Sequence, residues 1–266
     1  VFGDASLFQA LNRTCTSFGK ETLSKWLRKP LDNKIDIETR QQAIKELSNY
    51  NDFRETFRIT GCLNKNDETT MSDLKEWIAS PSVFLQKRSN QWICRAVPVI
   101  NIILFVLGMM NVISMSWFGL VFCSFAIASS KLIRKITLIQ ESYNKTLKML
   151  STYVRLIELA DKQSMESPLL IVLKKEFESH GKKAPEVLGM LAKELDRLDL
   201  RNNLILYALL EGSMFWQLRQ MLRIERWKKE YGAHLLQWLE ALGQLDALCA
   251  LGTFAFNHEE YTYPII

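Results

Sequence analysis

Apolar residues recur at intervals of three and four along most of this chain, with charged residues between them. From Leu132 to Ile157 they fall on one face, which predicts an amphipathic helix of about 30 residues, or ~45 Å. A second long run, from Leu200 to Phe256, has the same period. Runs of β-branched residues bounded by Gly and Pro are scarce. The pattern predicts an all-α, elongated fold, in which two long antiparallel lever helices join a multi-helix core to a short tip at 162–199.

One stretch departs from this pattern, because Ala96–Ser130 contains no charged residue at all. Its length exceeds one membrane span of about 20 residues and suffices for two short ones, with the turn expected at Asn111–Ser116. Basic residues flank both ends, as expected for a membrane hairpin whose two ends are cytoplasmic. These flanking residues are Arg88, Arg95, Lys131, Arg134 and Lys135. The alternative is a buried helical hairpin inside a soluble bundle.

The pattern divides the chain into three segments. Residues 1–90 form short core helices, and residues 91–130 form the apolar hairpin. Residues 131–266 form the lever helices with their short tip and return to the core. Because the chain starts at Val1 rather than at a methionine, we expect it to be part of a longer protein.

Composition excludes a disordered chain, since 48% of the 266 residues are apolar and the net charge is only +5. This mild positive charge is compatible with an acidic partner such as nucleic acid or lipid headgroups. The five cysteines form no Cys-x-x-Cys pair and no cluster with histidine. We therefore expect neither a zinc site nor a disulfide framework, and the thiols should be reduced in an intracellular setting.

No catalytic, cofactor-binding or metal-ligating residue is predicted. A phosphate-binding loop needs the pattern Gly-x-x-x-x-Gly-Lys-Ser/Thr, which does not occur in the sequence. The nearest match, at 180–183, lacks the first glycine and the hydroxyl residue, so a turn is the better interpretation. A basic run includes Arg223, Arg226, Lys228 and Lys229. It could contact phosphate, but a solvated helix face is favoured.

Two stretches carry a family resemblance. Ser6–Leu31 has the order Leu-Asn-x-Thr-x-Thr-x-x-Gly, then Trp-Leu-x-x-Pro-Leu, and Ile37–Leu47 has Ile-x-x-Arg-Gln-x-Ala-Ile-x-x-Leu. Both resemble the opening of the core domain of MutS-type DNA mismatch repair ATPases. Leu242–Pro264 resembles the segment that leads into the ATPase domain of that family. The motif residues singled out are Thr14, Thr16, Gly19, Trp26, Pro30, Arg40, Gln41, Asp246, Tyr261 and Pro264.

These motif residues have structural rather than catalytic interpretations. The two threonines suit helix caps, Gly19 a tight turn and Pro30 a helix stop. The others suit packing at the junction of connector, lever and ATPase. The uncharged block would then be an insertion just before the first lever helix.

The resemblance implies a function as well as a fold. It implies that this chain is the core and lever region of a mismatch repair protein, similar to MutS domain III. Such a region would couple an ATPase domain, which is absent from this chain, to conformational change associated with DNA. ATP and Mg would belong to that domain, DNA would bind the full-length protein, and the ATPase domain would form a homodimer. Location would be cytoplasmic, with attachment to the inner face of the membrane through the hairpin.

The short tip implies a reduced or absent DNA clamp. The alternative is a membrane-attached helical scaffold with MutS ancestry and no repair role.

Overall fold

The computed structural model describes residues 1–63, 71–179, 182–198 and 204–266. Within those ranges the chain is almost entirely helical, which confirms the all-α prediction. The helices are α1 (Leu7–Leu11), α2 (Ser17–Arg28), α3 (Lys34–Asn49), α4 (Asn51–Cys62), α5 (Met71–Ala79), α6 (Val83–Gln86), α7 (Arg88–Met109), α8 (Met115–Lys162), α9 (Pro168–Glu176), α10 (Ala184–Leu198), α11 (Leu204–Met214) and α12 (Trp216–Asn257). Two residue pairs, β1 (Glu178–Ser179) and β2 (Lys182–Lys183), form a short antiparallel ladder between α9 and α10.

The helices form two compact units. Unit 1 contains Val1–Glu76, Lys148–Gly189 and Ala233–Ile266, and unit 2 contains Trp77–Leu147 and Met190–Gly232. Each unit is therefore assembled from segments that are far apart in the sequence. The three-segment division expected from the sequence groups only consecutive residues, and it stays a prediction.

The first long helix begins earlier than the periodicity indicated. The prediction placed its start after the apolar block, near Leu132, whereas α8 runs without a break from Met115 to Lys162 over 48 residues. The second arm of the hairpin and the amphipathic run are therefore one helix. The physical reason is that no Pro or Gly occurs between Leu120 and Lys162, so the change from apolar to charged composition does not interrupt the backbone.

The second long run is divided near its start. Helix α11 ends at Met214, Phe215 has a left-handed backbone with φ of 51°, and α12 then continues for 42 residues. The side chain of Glu211 accepts a hydrogen bond of 2.8 Å from the Gln217 amide, which binds a free N–H of the first turn of α12. Periodicity did not indicate this break, because apolar residues continue through it.

Unit 1 has its core around the C-terminal half of α12. Leu11 and Leu23 pack against Ala247 of α12, with Trp26 and Leu251 at the edge of this cluster. Glu46 of α3 accepts hydrogen bonds from the amides of Glu166 (2.7 Å) and Ser167 (2.6 Å), directly before α9. Its negative charge therefore caps the positive end of the α9 dipole.

Unit 2 has its core at the start of α12. The buried cluster consists of Phe84, Cys94, Val97, Ile136, Phe215, Leu218 and Leu222. Two charged residues of α12 bind helix α6 and the C-terminal end of α5. Glu225 accepts from the amides of Phe84 (3.2 Å) and Leu85 (2.6 Å), and Lys228 donates to the carbonyls of Trp77 (3.2 Å) and Ser80 (2.8 Å).

The apolar block forms a helical hairpin in unit 2. Its arms are the C-terminal part of α7 and the N-terminal part of α8, and its turn is Met110–Ser114. Asn111 has a φ of 56°, a left-handed conformation that Asn tolerates well. The arms approach closely near the turn, where a Cβ at Gly108 would lie 2.8 Å from the Met115 sulfur. The predicted hairpin is present, with its turn placed slightly earlier than expected.

Candidate functional sites: a buried carboxylate and an apolar hairpin

Asp246 of α12 is the centre of the best-defined polar site in unit 1. Its side chain is buried and accepts hydrogen bonds from the segment that precedes α2. The Thr16 hydroxyl donates at 2.6 Å, the Thr16 amide at 2.8 Å and the Cys15 amide at 3.1 Å. These contacts join residues about 230 positions apart in the sequence. The carboxylate therefore links the N-terminal motif to the C-terminal motif.

Thr16 also starts helix α2. While its hydroxyl donates to Asp246, the same oxygen accepts a hydrogen bond of 2.9 Å from the Gly19 amide, so Thr16 is the N-cap of α2. Gly19 lies in the first turn of that helix, not in the tight turn that the sequence suggested. A Cβ at Gly19 would overlap the Asp246 carboxylate, so the need for glycine here is one of space.

The surroundings of this site are tightly packed, and Asp246 and Thr16 are buried. Burial raises the pKa of Asp246, and the hydrogen bonds from Thr16 and Cys15 oppose that rise. Burial and the neighbouring carboxylate also raise the pKa of the Cys15 thiol. A Cβ at Gly61 would overlap the Cys15 sulfur, so α4 closes the site from another side. A neutral, buried thiol is a poor nucleophile and metal ligand, and the arrangement serves packing rather than catalysis.

The remaining motif residues lie at other contacts. The guanidinium of Arg40 stacks 4.0 Å from the Trp26 ring centroid, a cation–π contact between α3 and α2. Gln41 donates a hydrogen bond of 3.2 Å to the Pro264 carbonyl, which ties the C-terminal segment to α3. Tyr261 is exposed and stacks on His258 at 4.9 Å.

Two more motif residues lie near helix ends. The Thr14 hydroxyl donates to the Asn12 side chain at 2.6 Å and caps no helix, unlike the role expected from the sequence. Pro30 follows the end of α2, whose last residue is Arg28.

Sequence reasoning missed Arg54 of α4. Its side chain is only 4% exposed, and it donates to the Thr253 hydroxyl of α12 (2.9 Å) and the Ser48 carbonyl (3.0 Å). Burial lowers its pKa. The signal that could have identified Arg54 is its position next to Phe53 and Phe57, on the apolar face of α4. A cation on such a face is buried and therefore needs hydrogen-bond partners.

The described residues offer little for a metal or for catalysis. Across the described ranges, no group of three or more His, Cys, Asp or Glu residues is placed to hold a metal ion. The basic run on α12 is also committed to protein contacts at two of its positions. Lys228 is buried against carbonyl groups, and Arg223 contacts Glu194 at 3.3 Å.

The apolar hairpin buries small or polar side chains and exposes large apolar ones. Between Ala96 and Ser130 the buried positions are Val97, Asn101, Gly108 and Ser129, of which three are small or polar. The large apolar side chains face outward, as for Ile102 (63% exposed) and Ile127 (67%). A soluble protein places such side chains in its core, whereas helices in lipid pack through small and polar residues.

Asn101 shows how the buried polar positions are used. Its side-chain amide donates to the carbonyls of Gly212 and Ser213 at 3.1 Å each, at the end of α11. Gly212 lies against the Phe122 ring of the other arm, where a Cβ would not fit. Helix α11 is itself apolar, and Leu206 and Leu209 on it are exposed. The hairpin and α11 therefore present one apolar surface.

The two ends of the hairpin meet charged sequence. Arg88 and Arg95 are exposed on α7. Lys131, Arg134 and Lys135 follow along α8, and their side chains lie outside the part that the structure describes. By length and composition, α7 could cross a membrane, and the apolar arm of α8, Met115–Ser130, is shorter. Helix α12 contains a stretch that meets the same criterion but is mostly buried, as expected for a core helix.

Comparison with known proteins gives a consistent picture. A family model described as MutS domain III matches residues 2–252. A DNA mismatch repair protein MutS from Caldanaerobacter subterraneus subsp. tengcongensis is 43% identical over 60 residues, which is 23% of this chain and 7% of that protein. A DNA mismatch repair protein msh3 from Aspergillus oryzae is 50% identical over 44 residues, 16% of this chain and 4% of that protein. The matched region is thus a small part of these relatives' length. No solved structure matches at comparable significance.

The Thr16 hydroxyl can be tested by a matched pair of substitutions. Thr16→Val keeps the shape but removes the donor to Asp246 and the acceptor for the Gly19 amide. We expect it to lower the free energy of unfolding by about 2–4 kcal/mol, because a buried carboxylate loses a donor and a helix loses its cap. Thr16→Ser keeps the hydroxyl and should lie within about 1 kcal/mol of the parent. Urea unfolding in detergent, followed by circular dichroism, measures both, and equal stability of the two variants would contradict the assignment.

The same substitution at two helical glycines should have opposite effects. Gly19→Ala forces a methyl group into the Asp246 carboxylate, and we expect a loss of about 1–3 kcal/mol. Gly189 lies in α10 with open space beside it, since nothing lies within 4 Å of the position that a Cβ would take. Gly189→Ala should therefore stabilise by about 0.5–1 kcal/mol through helix propensity. Thermal unfolding of both variants tests this, and a stabilised Gly19→Ala would refute the close packing at Asp246.

Proposed function

This chain belongs to the MutS domain III family, and on that basis we propose that it is the non-catalytic helical core of a DNA mismatch repair protein. In this proposal it transmits the nucleotide state of an ATPase domain, which would bind ATP and Mg, to elements that contact DNA. Pairing of two subunits through that ATPase domain is part of the same proposal. In this proposal the role of the present chain is mechanical.

The observation that supports this role is the Asp246 site. Residues 15 and 16 at one end of the chain and Asp246 at the other are joined by a buried, charge-assisted set of hydrogen bonds. Arg54 and Gln41 add further contacts between the N-terminal helices and the C-terminal segment. A segment that passes a conformational change between its ends needs such a rigid connection, because a loose contact would absorb the displacement.

This coupling can be tested in the full-length protein by mobility shift of mismatched and branched duplexes at low salt, with and without ATP. We expect nucleotide to change the DNA affinity of the parent protein. Asp246→Asn places an amide N–H₂ against the donors of Thr16 and Cys15 and should weaken this contact. The DNA affinity of the variant with ATP should therefore be closer to its DNA affinity without ATP than in the parent. ATP hydrolysis without DNA should be retained. Gly189→Ala, at a position of α10 with open space for the new methyl group, serves as the control.

Two results would contradict the proposal. If the full-length protein leaves the mobility of every duplex unchanged, the DNA-binding part fails. If Asp246→Asn lowers stability but leaves the nucleotide effect at the parental value, the coupling role of this site fails.

The apolar hairpin supports a second function, membrane attachment. Its outward-facing apolar side chains would be buried in lipid, and its basic flanks favour the cytoplasmic face of the membrane. Attachment is compatible with the first function, and it would also stand alone if the family relationship reflects ancestry without a role in repair.

Carbonate extraction of cell membranes tests attachment. We expect the full-length parent to remain in the pellet and the double variant Ile102→Lys, Ile127→Lys to move to the soluble fraction, because each lysine costs about 2.5–3.5 kcal/mol in the centre of a membrane helix. Ile59→Lys changes an equally exposed residue of α4 and should stay in the pellet with the parent. A parent protein that is wholly soluble would exclude membrane attachment.

A further inference from the structure

The turn of the hairpin contains no charged residue and keeps apolar side chains on its surface beside the polar Asn111 and Ser114. Met110 (67% exposed) and Val112 (64%) project from the turn itself, and Trp117 (61%) projects from the first turn of α8 next to it. A hairpin that crosses a bilayer completely places its turn in water on the far side. Here that would return these exposed apolar side chains to water, at about 25 cal/mol per Å².

The backbone of the turn is largely satisfied from within the hairpin. Hydrocarbon offers no partner for a free N–H, so a turn can stay in lipid only if its amides are bonded internally. The bonds run from the Met110 amide to the Val106 carbonyl (2.9 Å), from Asn111 to Gly108 (3.1 Å), from Val112 to Leu107 (3.0 Å), and from Trp117 to Ser114 (3.0 Å). The Ser114 hydroxyl also accepts from the Ser116 amide at 3.4 Å. Most of the amides at this turn are therefore bonded within the hairpin, which favours residence in hydrocarbon.

Helix α7 as a whole is long enough to cross a membrane, but the uncharged parts of the two arms are short for a complete crossing. From Ala96 to Met109 the uncharged part of α7 has 14 residues, or ~21 Å, and Met115–Ser130 on α8 has 16, or ~24 Å. The hydrocarbon core of a bilayer is about 30 Å thick. With Arg95 and Lys131 held at one surface, the turn would lie short of the opposite surface.

The distribution of exposed residues favours lipid over a second protein copy. On α7 the pairs Val99–Ile100, Ile102–Ile103 and Phe105–Val106 are all exposed. At about 100° per residue, these positions cover well over half of the circumference of the helix. A single packed partner would cover a stripe of ~100°, whereas lipid contacts the helix from all free sides.

We propose that Ala96–Ser130 is a one-sided membrane hairpin, in which the turn Met110–Ser114 remains within the bilayer and both ends emerge on the same face. This inference rests on the membrane attachment proposed above and adds the depth and topology of insertion. The lipid contacts are the apolar faces of both arms, and the chemical partner is the hydrocarbon of a phospholipid bilayer.

Cysteine accessibility tests the topology. The full chain, with the half-buried Cys62 and the exposed Cys123 replaced by serine, would be synthesised in a cell-free system with sealed phosphatidylcholine–phosphatidylglycerol vesicles present. Val112→Cys reports on the turn, and Ser89→Cys, exposed at the start of α7, is the matched control. A membrane-impermeant maleimide is added outside or enclosed inside. The parent without either new cysteine gives the background.

We expect Ser89→Cys to label from outside, and Val112→Cys to label from neither side until detergent is added. Labelling of Val112→Cys only from the lumen would show a complete crossing; it would overturn one-sided insertion and leave membrane attachment intact. Labelling of Val112→Cys from outside to the level of Ser89→Cys, or failure of the chain to float with vesicles, would overturn both proposals.

Discussion

The buried carboxylate of Asp246 is the interaction on which the rest of unit 1 depends. A charge in an apolar interior is stable only when donors surround it, and here the donors come from Thr16 and Cys15 near the start of the chain. Because the Thr16 hydroxyl also caps α2, the position of that helix and the satisfaction of the carboxylate depend on each other. Gly19 then needs to be small. One electrostatic requirement thus determines two positions of the N-terminal motif, Thr16 and Gly19.

The hairpin follows a different rule from the rest of the chain. In unit 1, large apolar residues such as Leu47 and Trp238 are fully buried. In the hairpin, Asn101, Gly108 and Ser129 are inside and the large side chains are outside. The hydrophobic effect explains the first arrangement, and the second is the one expected of helices that pack in lipid, as proposed above. Both arrangements occur in one polypeptide, and α8 passes from one to the other without a break.

The fold class could be predicted from the sequence because it depends on the helical spacing of apolar residues. The hairpin could be predicted because it depends on a long stretch without charged residues. The start of α8 could not, since no local signal separates an apolar arm from an amphipathic continuation of the same helix. The family motif singled out Thr16, Gly19 and Asp246 but not their mutual contact, because about 230 residues separate them. Arg54 was missed, since the partners of a buried cation are visible only after tertiary packing.

The sequence distance between Thr16 and Asp246 also has a consequence for biogenesis. Unit 1 takes its residues from both ends of the chain, and the hairpin lies between them. During synthesis the hairpin therefore leaves the ribosome before Asp246 exists to meet Thr16. A hairpin that inserts as it emerges is already in the bilayer while unit 1 is still open. Under the proposed attachment, unit 1 then closes on a chain that is already tethered, and the tether keeps the two ends of the chain concentrated near one another at the membrane surface.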